Sequence, residues 1–254
     1  MSKPNPTNRI LIVLPFWEGD KGQAMLLARL LADIEPKHSE DADFLFVARY
    51  DCEHNLDTVS YVSRKFNVHT YRSRRRVTGW PMGCNAVFFG AMEWVFHKME
   101  SGQVPHYKAV FIMGADGAPF RLDWISYLHK QWDEKQVTCA PVFVAGALIE
   151  DVVGGHDHIN GDCMMMSGNL KFLRWLVKGI CDITVPAGWD WVLASDFRKW
   201  GWAAILGVKS AWRRQAKFTQ TDWDSELRAG TVWLHGQKDN SLLDVCRNNL
   251  CKKT

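Results

Sequence analysis

A chain of 254 residues, 47% of them hydrophobic, suffices for one large α/β domain with a sizeable core, and a single domain is expected. The formal net charge of +3 does not by itself mark a nucleic-acid-binding protein, although Arg72, Arg74, Arg75 and Arg76 form a strongly basic local cluster. Seven cysteines, scattered with no C-x-x-C pair, argue for reduced thiols over a disulfide framework or a structural zinc site. Residues 1–8 are polar and lack the features of a signal peptide, and no apolar run is long enough to span a bilayer, so the expected location is the cytoplasm.

Residues 10–16 have the composition of a buried strand, and 23–34 place Leu26, Leu27, Leu30, Leu31 and Ile34 at helical spacing, a βα unit. A second strand is expected over 44–48, an amphipathic helix over 56–66 through Leu56, Val59, Val62 and Phe66, and a short third strand over 68–71. Such alternation implies a parallel, right-handed, doubly wound sheet. A longer helix over about 84–100 precedes the apolar run Ala109-Val110-Phe111-Ile112-Met113-Gly114, a helix over 124–132 follows it, and 142–148 read as the next strand. The pattern changes after Ile149. Gly154-Gly155-His156-Asp157-His158 reads as a loop, helices are expected over 169–180 and 189–200, and strands over 204–208 and 231–234. With no internal repeat and no low-complexity linker, residues 149–254 are expected to complete the sheet begun by 1–148 and to cover one end of it.

The 109–114 strand delivers one acidic residue, Asp116, into the small-residue loop Ala115-Asp116-Gly117-Ala118-Pro119. A carboxylate at the end of a buried strand needs a cation or metal partner, and open α/β sheets bind ligands outside the carboxyl ends of their strands. A turn Asp capping the helix near Asp123 is the alternative. Three further stretches stand out. In Thr78-Gly79-Trp80-Pro81-Met82-Gly83-Cys84-Asn85, two glycines and a proline set a tight loop before a helix whose first amides could face an anion. Ile159-Asn160-Gly161-Asp162 reads as a turn entering the apolar Cys163-Met164-Met165-Met166, either placing Asn160 and Asp162 beside a bound sugar or lying on the surface. In Val232-Trp233-Leu234-His235-Gly236-Gln237-Lys238-Asp239 a strand ends in a histidine and a lysine.

Together, Asp116, the Gly-Trp-Pro-x-Gly-x-Asn run from Gly79 to Asn85, the Asn160-Gly161 turn, Trp189-Asp190 and His235 with Lys238 resemble a GT-A-fold glycosyltransferase of the small bacterial or bacteriophage type. The resemblance extends from Ile10 to about Asp239 and rests on the order of short motifs. It implies a doubly wound, mostly parallel α/β sheet flanked by helices, with a nucleotide-sugar-binding half over 1–148 and an acceptor and catalytic half over 149–254. It also implies transfer of a sugar from a nucleoside-diphosphate sugar, UDP favoured, to an acceptor hydroxyl. If the chain is phage-encoded, the location is the host cytoplasm.

By the same resemblance, Asp116 matches the D-x-D-type position that holds a divalent metal, Mn or Mg, on the donor diphosphate, although this loop supplies one carboxylate where two are common. His235 resembles the histidine that completes such a metal site, and Lys238 a lysine on the diphosphate. A hard cation, an imidazole and a point charge would stabilise the negative charge growing on the leaving group. The loop from Pro15 through Trp17 to Asp20 lies where the family places the nucleoside, with Trp17 either stacking on the base or packing on the sheet. Arg49 is a candidate for base or ribose contacts, and Gly79, Trp80 and Asn85 belong to the donor loop. An inverting transfer needs a base, and Asp190, in Gly188-Trp189-Asp190-Trp191, takes that position unless it serves only the helix dipole; Asp196 is the reserve.

Arg72, Arg74, Arg75 and Arg76 stand beside the donor loop. They could guide a DNA acceptor bearing a hydroxymethylated pyrimidine, leave a glycan acceptor elsewhere with Arg76 on the donor diphosphate, or form a solvated basic face. Two other classes remain open. A sugar nucleotidyltransferase would carry a basic Gly-rich loop after the first strand, of which Gly19-Asp20-Lys21-Gly22 is a faint version. A non-catalytic nucleic-acid-binding protein would use the arginines and aromatics without requiring Asp116, Asp190, His235 and Lys238.

Overall fold

The structure is a computed structural model that describes residues 7–138, 141–150, 157–180, 187–211 and 216–252. Strands β1 (Ile10–Phe16), β2 (Ala42–Ala48) and β4 (Ala109–Met113) are apolar and almost wholly buried, the pattern of strands covered on both faces. With β3 (Asn67–Arg72), β6 (Val144–Ile149), β7 (His158–Ser167) and β8 (Trp202–Ala204) they form a seven-stranded sheet of order β3-β2-β1-β4-β7-β6-β8. The pairings are parallel except that β7 runs antiparallel to both β4 and β6. The doubly wound, mostly parallel α/β sheet inferred from the sequence is therefore the one observed, and residues beyond 149 complete it.

Alternate strand residues feed two cores. Ile10, Ile12, Phe44, Phe46, Phe111 and Met113 face α1 (Lys21–Ile34), α2 (Leu56–Val62), α4 (Trp124–Thr138) and α9 (Ser241–Leu250). Leu11, Val13, Leu45, Val110 and Ile112 face α3 (Met82–Glu100) and α5 (Leu170–Ile180), with Trp189 of α6 (Trp189–Val192) and Phe197 of α7 (Ala194–Trp200). A second sheet, β5-β10-β9, is built from Gly117–Pro119, Trp233–His235 and Val208–Ser210. It lies at the end of β4 and carries the C-terminal strand to it.

Several expectations need correction. The turn expected at 159–162 is the interior of β7, a ten-residue strand. Gly161 is there for close packing, since a Cβ would come within 2.5 Å of the Trp189 indole. The helix expected over 189–200 breaks at Leu193 into α6 and α7. The strand expected over 204–208 is two strands in different sheets, separated by a turn in which Gly207 has φ +79 and a Cβ would meet the Gly230 carbonyl oxygen at 2.6 Å. Helix α2 ends at Val62 rather than Phe66. Helix α8 (Gln220–Arg228), absent from the sequence reading, starts at a capping box in which Thr219 and Asp222 each accept from the other's backbone N–H. Residues 154–156 of the expected Gly-Gly-His loop lie outside the described residues, and His158 belongs to β7. Among the described residues no helix is long and apolar enough to cross a membrane.

Candidate active site at the carboxyl edge of the sheet

Three distant segments meet where β4 ends. The antiparallel β4–β7 register pairs Met113 with Cys163, and one step further the Gly114 N–H donates to the Asp162 carbonyl oxygen at 2.8 Å, which sets Asp162 beside the loop. The β5–β10 register pairs Gly117 with His235, and the N–H groups of Gly236 and Gln237 donate to the Asp116 carbonyl oxygen at 3.2 and 3.3 Å. Residues 116, 162 and 235 are thereby placed together by backbone pairing alone.

His235 Nε2 lies 2.9 Å from Asp116 Oδ1 and 3.2 Å from Asp162 Oδ2. Lys238 reaches back from an exposed stem to pair with the other oxygen of Asp116. Asp116 and His235 are both buried. Burial alone would raise the Asp116 pKa, but His235 and Lys238 outweigh it and hold the carboxyl at about 2. Burial alone would lower that of His235, yet Asp162 and Asp116 lift it to about 9. Asp20, at the start of α1, is raised to about 6 by burial, against a hydrogen bond from the Trp17 N–H and with the help of Asp116 and Asp162. The reading of Asp116 as a cap near Asp123 does not hold, because its side chain is spent on His235 and Lys238, while Asp123 pairs with Arg121.

The fit to a divalent cation can be tested on these groups. Among the described residues no three His, Cys, Asp or Glu side chains are already arranged to hold a metal ion; Asp116, Asp162 and His235 are drawn in on one another. Their donor chemistry nonetheless suits a hard divalent ion. His235 Nε2 and Asp116 Oδ2, both buried, have these ion-pair neighbours but no well-directed hydrogen bond to any described residue. Gly114 borders Asp116, Asp162 and His235 closely. A Cβ there would lie 2.8 Å from Asp116 Oδ1, 2.9 Å from Asp162 Cβ and 2.9 Å from His235 Cδ2.

On the α6 side, Asp190 Oδ2 accepts from the Gly161 N–H at 2.9 Å and Oδ1 from the Trp191 N–H at 3.0 Å, with His158 Nε2 3.9 Å away. Burial raises the Asp190 pKa, and the neighbouring Asp162 adds to the rise. The mount is rigid: Trp189 stacks on Phe88 at 3.5 Å, and Asn85 donates to the Ala187 carbonyl oxygen and accepts from the Trp189 N–H, both at 3.0 Å. Asn85, which the sequence assigns to the donor loop, thus has its amide engaged as a strut between α3 and α6. Asp196 pairs with Lys199 on an exposed face.

Of the other sequence candidates, Pro15 lies within β1 rather than in the following loop. The Arg49 guanidinium sits 5.0 Å over the Trp17 ring and is bidentate to Asp51 at 2.6 and 2.7 Å. Trp17 folds back over Gly19, whose Cβ would meet the ring at 2.2 Å. Gly79, at φ +78, and Trp80, 79% exposed, precede α3 on a loop that also carries the exposed Arg76. Arg72 pairs with Glu53 and Arg75 with Glu93. Sequence reasoning passed over two groups. Asp162 was in view as a turn residue, beside a bound sugar or on the surface, and not as a neighbour of Asp116 and His235, and Gln23 donates to both the Gln237 and Asp239 carbonyl oxygens at 3.0 Å, bracketing Lys238.

No protein-family model matches the sequence, and no curated protein matches it. Solved structures do share the fold. The apo structure of the bifunctional glycosyltransferase WbbM superposes with a TM-score of 0.52 at 12% identity, over 98% of this chain and 50% of that one. The glycosyltransferase GlyE of Streptococcus pneumoniae TIGR4 does so with a TM-score of 0.50 at 10% identity, over 95% of this chain and 60% of that one. The chain has the GT-A-like fold of these glycosyltransferase structures, and it spans less than two thirds of the length of either.

Proposed function

We propose that this chain is a nucleotide-sugar-dependent glycosyltransferase whose donor diphosphate and divalent cation sit at the Asp116–His235–Lys238 cluster. The observation that carries this reading is the convergence of those three side chains beyond the carboxyl end of β4, where open α/β sheets take their ligands. Asp116 and His235 are the residues that would hold Mn or Mg. Such a cation, when bound, neutralises charge on the leaving diphosphate. Lys238 supplies an ammonium for the same diphosphate, and Gln23 fixes the segment that carries it. The first βα loop, with Trp17, and Arg49 after β2 take the nucleoside, a uridine by the family resemblance.

Asp190 is the base of an inverting transfer. It accepts the proton of the acceptor hydroxyl, whose oxygen bonds to the anomeric carbon as the bond to the diphosphate oxygen breaks and that electron pair leaves with the nucleoside diphosphate. Burial raises its pKa, and two backbone N–H groups hold both oxygens in place. The acceptor is a carbohydrate hydroxyl: Trp191, 40% exposed and adjacent to Asp190, offers an aromatic face for a sugar ring. A DNA acceptor is less well served, because two of the four clustered arginines are engaged by Glu53 and Glu93.

The test is thermal unfolding with UDP, GDP and their sugars, each with and without Mn. A ligand at a hundred times its dissociation constant stabilises by about 2.7 kcal/mol, a rise of about 5–10 °C in the midpoint for a chain of this size. A metal-dependent rise that Asp116→Asn abolishes is expected. No rise with any nucleotide refutes the reading.

A further inference from the structure

We infer that Asp162, on the antiparallel strand β7, is the second carboxylate of the divalent-cation site and stands in for the acidic residue that the Gly114-Ala115-Asp116-Gly117 loop lacks. The inference rests on the proposal that this site binds a metal, and it concerns which side chains of this chain hold it.

A hard cation of the Mn or Mg type takes oxygen ligands and usually one or two carboxylates, and the Asp116 loop offers a single one. The antiparallel turn of the sheet supplies another: the β4–β7 register and the Gly114 N–H to Asp162 carbonyl hydrogen bond hold Asp162 against that loop. The arrangement centres on His235, 2% exposed, whose Nε2 has no hydrogen-bond partner among the described residues although two carboxylate oxygens stand 2.9 and 3.2 Å away.

Three further observations point the same way. The second ring nitrogen of His235, Nδ1, lies 3.3 Å from Ser210 Oγ, the outer contact that orients a metal-binding imidazole. A Cβ at position 114 would press on Asp116, Asp162 and His235 together, so the glycine keeps open the point on which all three border. Finally, the Asp162 side chain is 51% exposed, which leaves the outer side of the site accessible to water or to a diphosphate. Its rival role is that of a mere counter-charge to His235 and Lys238, and the experiment must separate the two.

The experiment titrates the purified chain with Mn2+ alone, followed by electron paramagnetic resonance of free and bound ion, with melting points recorded for every variant. Wild type is expected to bind one Mn2+, Asp162→Asn to bind it at least about tenfold more weakly, as loss of a direct ligand must exceed the smallest effect of an outer partner, and Asp196→Asn to bind as wild type does. Asp162→Cys loaded with Co2+ distinguishes ligation from charge. A thiolate bound to the metal gives a charge-transfer absorption that wild type and Asp196→Cys lack. Wild-type Mn2+ affinity in a folded Asp162→Asn, or no new absorption in a folded, Co2+-loaded Asp162→Cys, overturns the inference while leaving the metal proposal standing. No Mn2+ bound by wild type overturns both.

Discussion

Gly114→Ala is the smallest change that bears on the whole site. The added methyl carbon would stand 2.8 Å from Asp116 Oδ1, 2.9 Å from Asp162 Cβ and 2.9 Å from His235 Cδ2, all inside ordinary contact distance. None of the three can retreat freely. The Asp116 carbonyl is held by two backbone N–H groups, Asp162 by the β4–β7 register, and His235 by its pairing on both sides within the small sheet. Overpacking of this kind costs about 1–3 kcal/mol. A central value of roughly 2 kcal/mol corresponds to a midpoint lowered by about 4–8 °C in a chain of this length. The second expected consequence, on the proposed function, is loss of the expected nucleotide- and Mn-dependent rise in melting temperature, because the groups of the proposed donor site are splayed. Gly22→Ala is the control, since nothing lies within 4 Å of its Cβ and the position is in α1; it should be neutral or stabilising by up to about 1 kcal/mol. A Gly114→Ala protein with wild-type midpoint and an undiminished response to nucleotide would refute the reasoning.

Other substitutions separate chemistry from architecture. Asp190→Asn should leave the fold and donor-induced stabilisation unchanged while slowing transfer by about 10²–10⁴-fold, the usual contribution of a general base; single-turnover assays with a transferable donor check this, and a near-normal rate would exclude Asp190 as the base. Asn85→Ala leaves the Ala187 carbonyl and the Trp189 N–H without their partner, which should cost about 1–3 kcal/mol in a denaturant titration. Were Asn85 only a ligand contact, stability would not move. Burial holds the imidazoles of His54, His69 and His129 below the ordinary histidine pKa. The unfolded chain therefore takes up their protons first as pH falls below about 6.5, so this contribution to stability is complete above that pH and is lost on acidification. His129→Gln keeps a donor for the Asp41 carbonyl oxygen, now 3.0 Å from Nε2. It should flatten the decline in denaturant midpoint between pH 7 and 5, and parallel declines in the two proteins would contradict the assignment.

Local signals carried most of the framework. The apolar runs at β1 and β4 and the helical spacing in α1 state their conformation within a dozen residues, because the burial that stabilises them follows the period of each element. The placing of Asp116 at the end of a buried strand and of His235 and Lys238 at another strand's end is equally local, and the chemistry read from them depends only on residue type. Where two local signals conflicted, tertiary packing decided. Asn160-Gly161-Asp162 has turn composition, yet it lies mid-strand because Gly161 makes room for the Trp189 ring and β7 pairs on both sides. Which distant groups meet was set by register. Asp162 reaches the Asp116 loop only because β7 enters the sheet antiparallel to β4, and His235 only because β10 joins β5. Asn85 became a strut for the same reason, since its partners lie about a hundred residues away in sequence. Hydrogen-bond register between remote strands leaves no trace in the spacing of any one segment, so the sequence determined the elements and the kinds of chemistry available, and the folded sheet alone determined which side chains share the site.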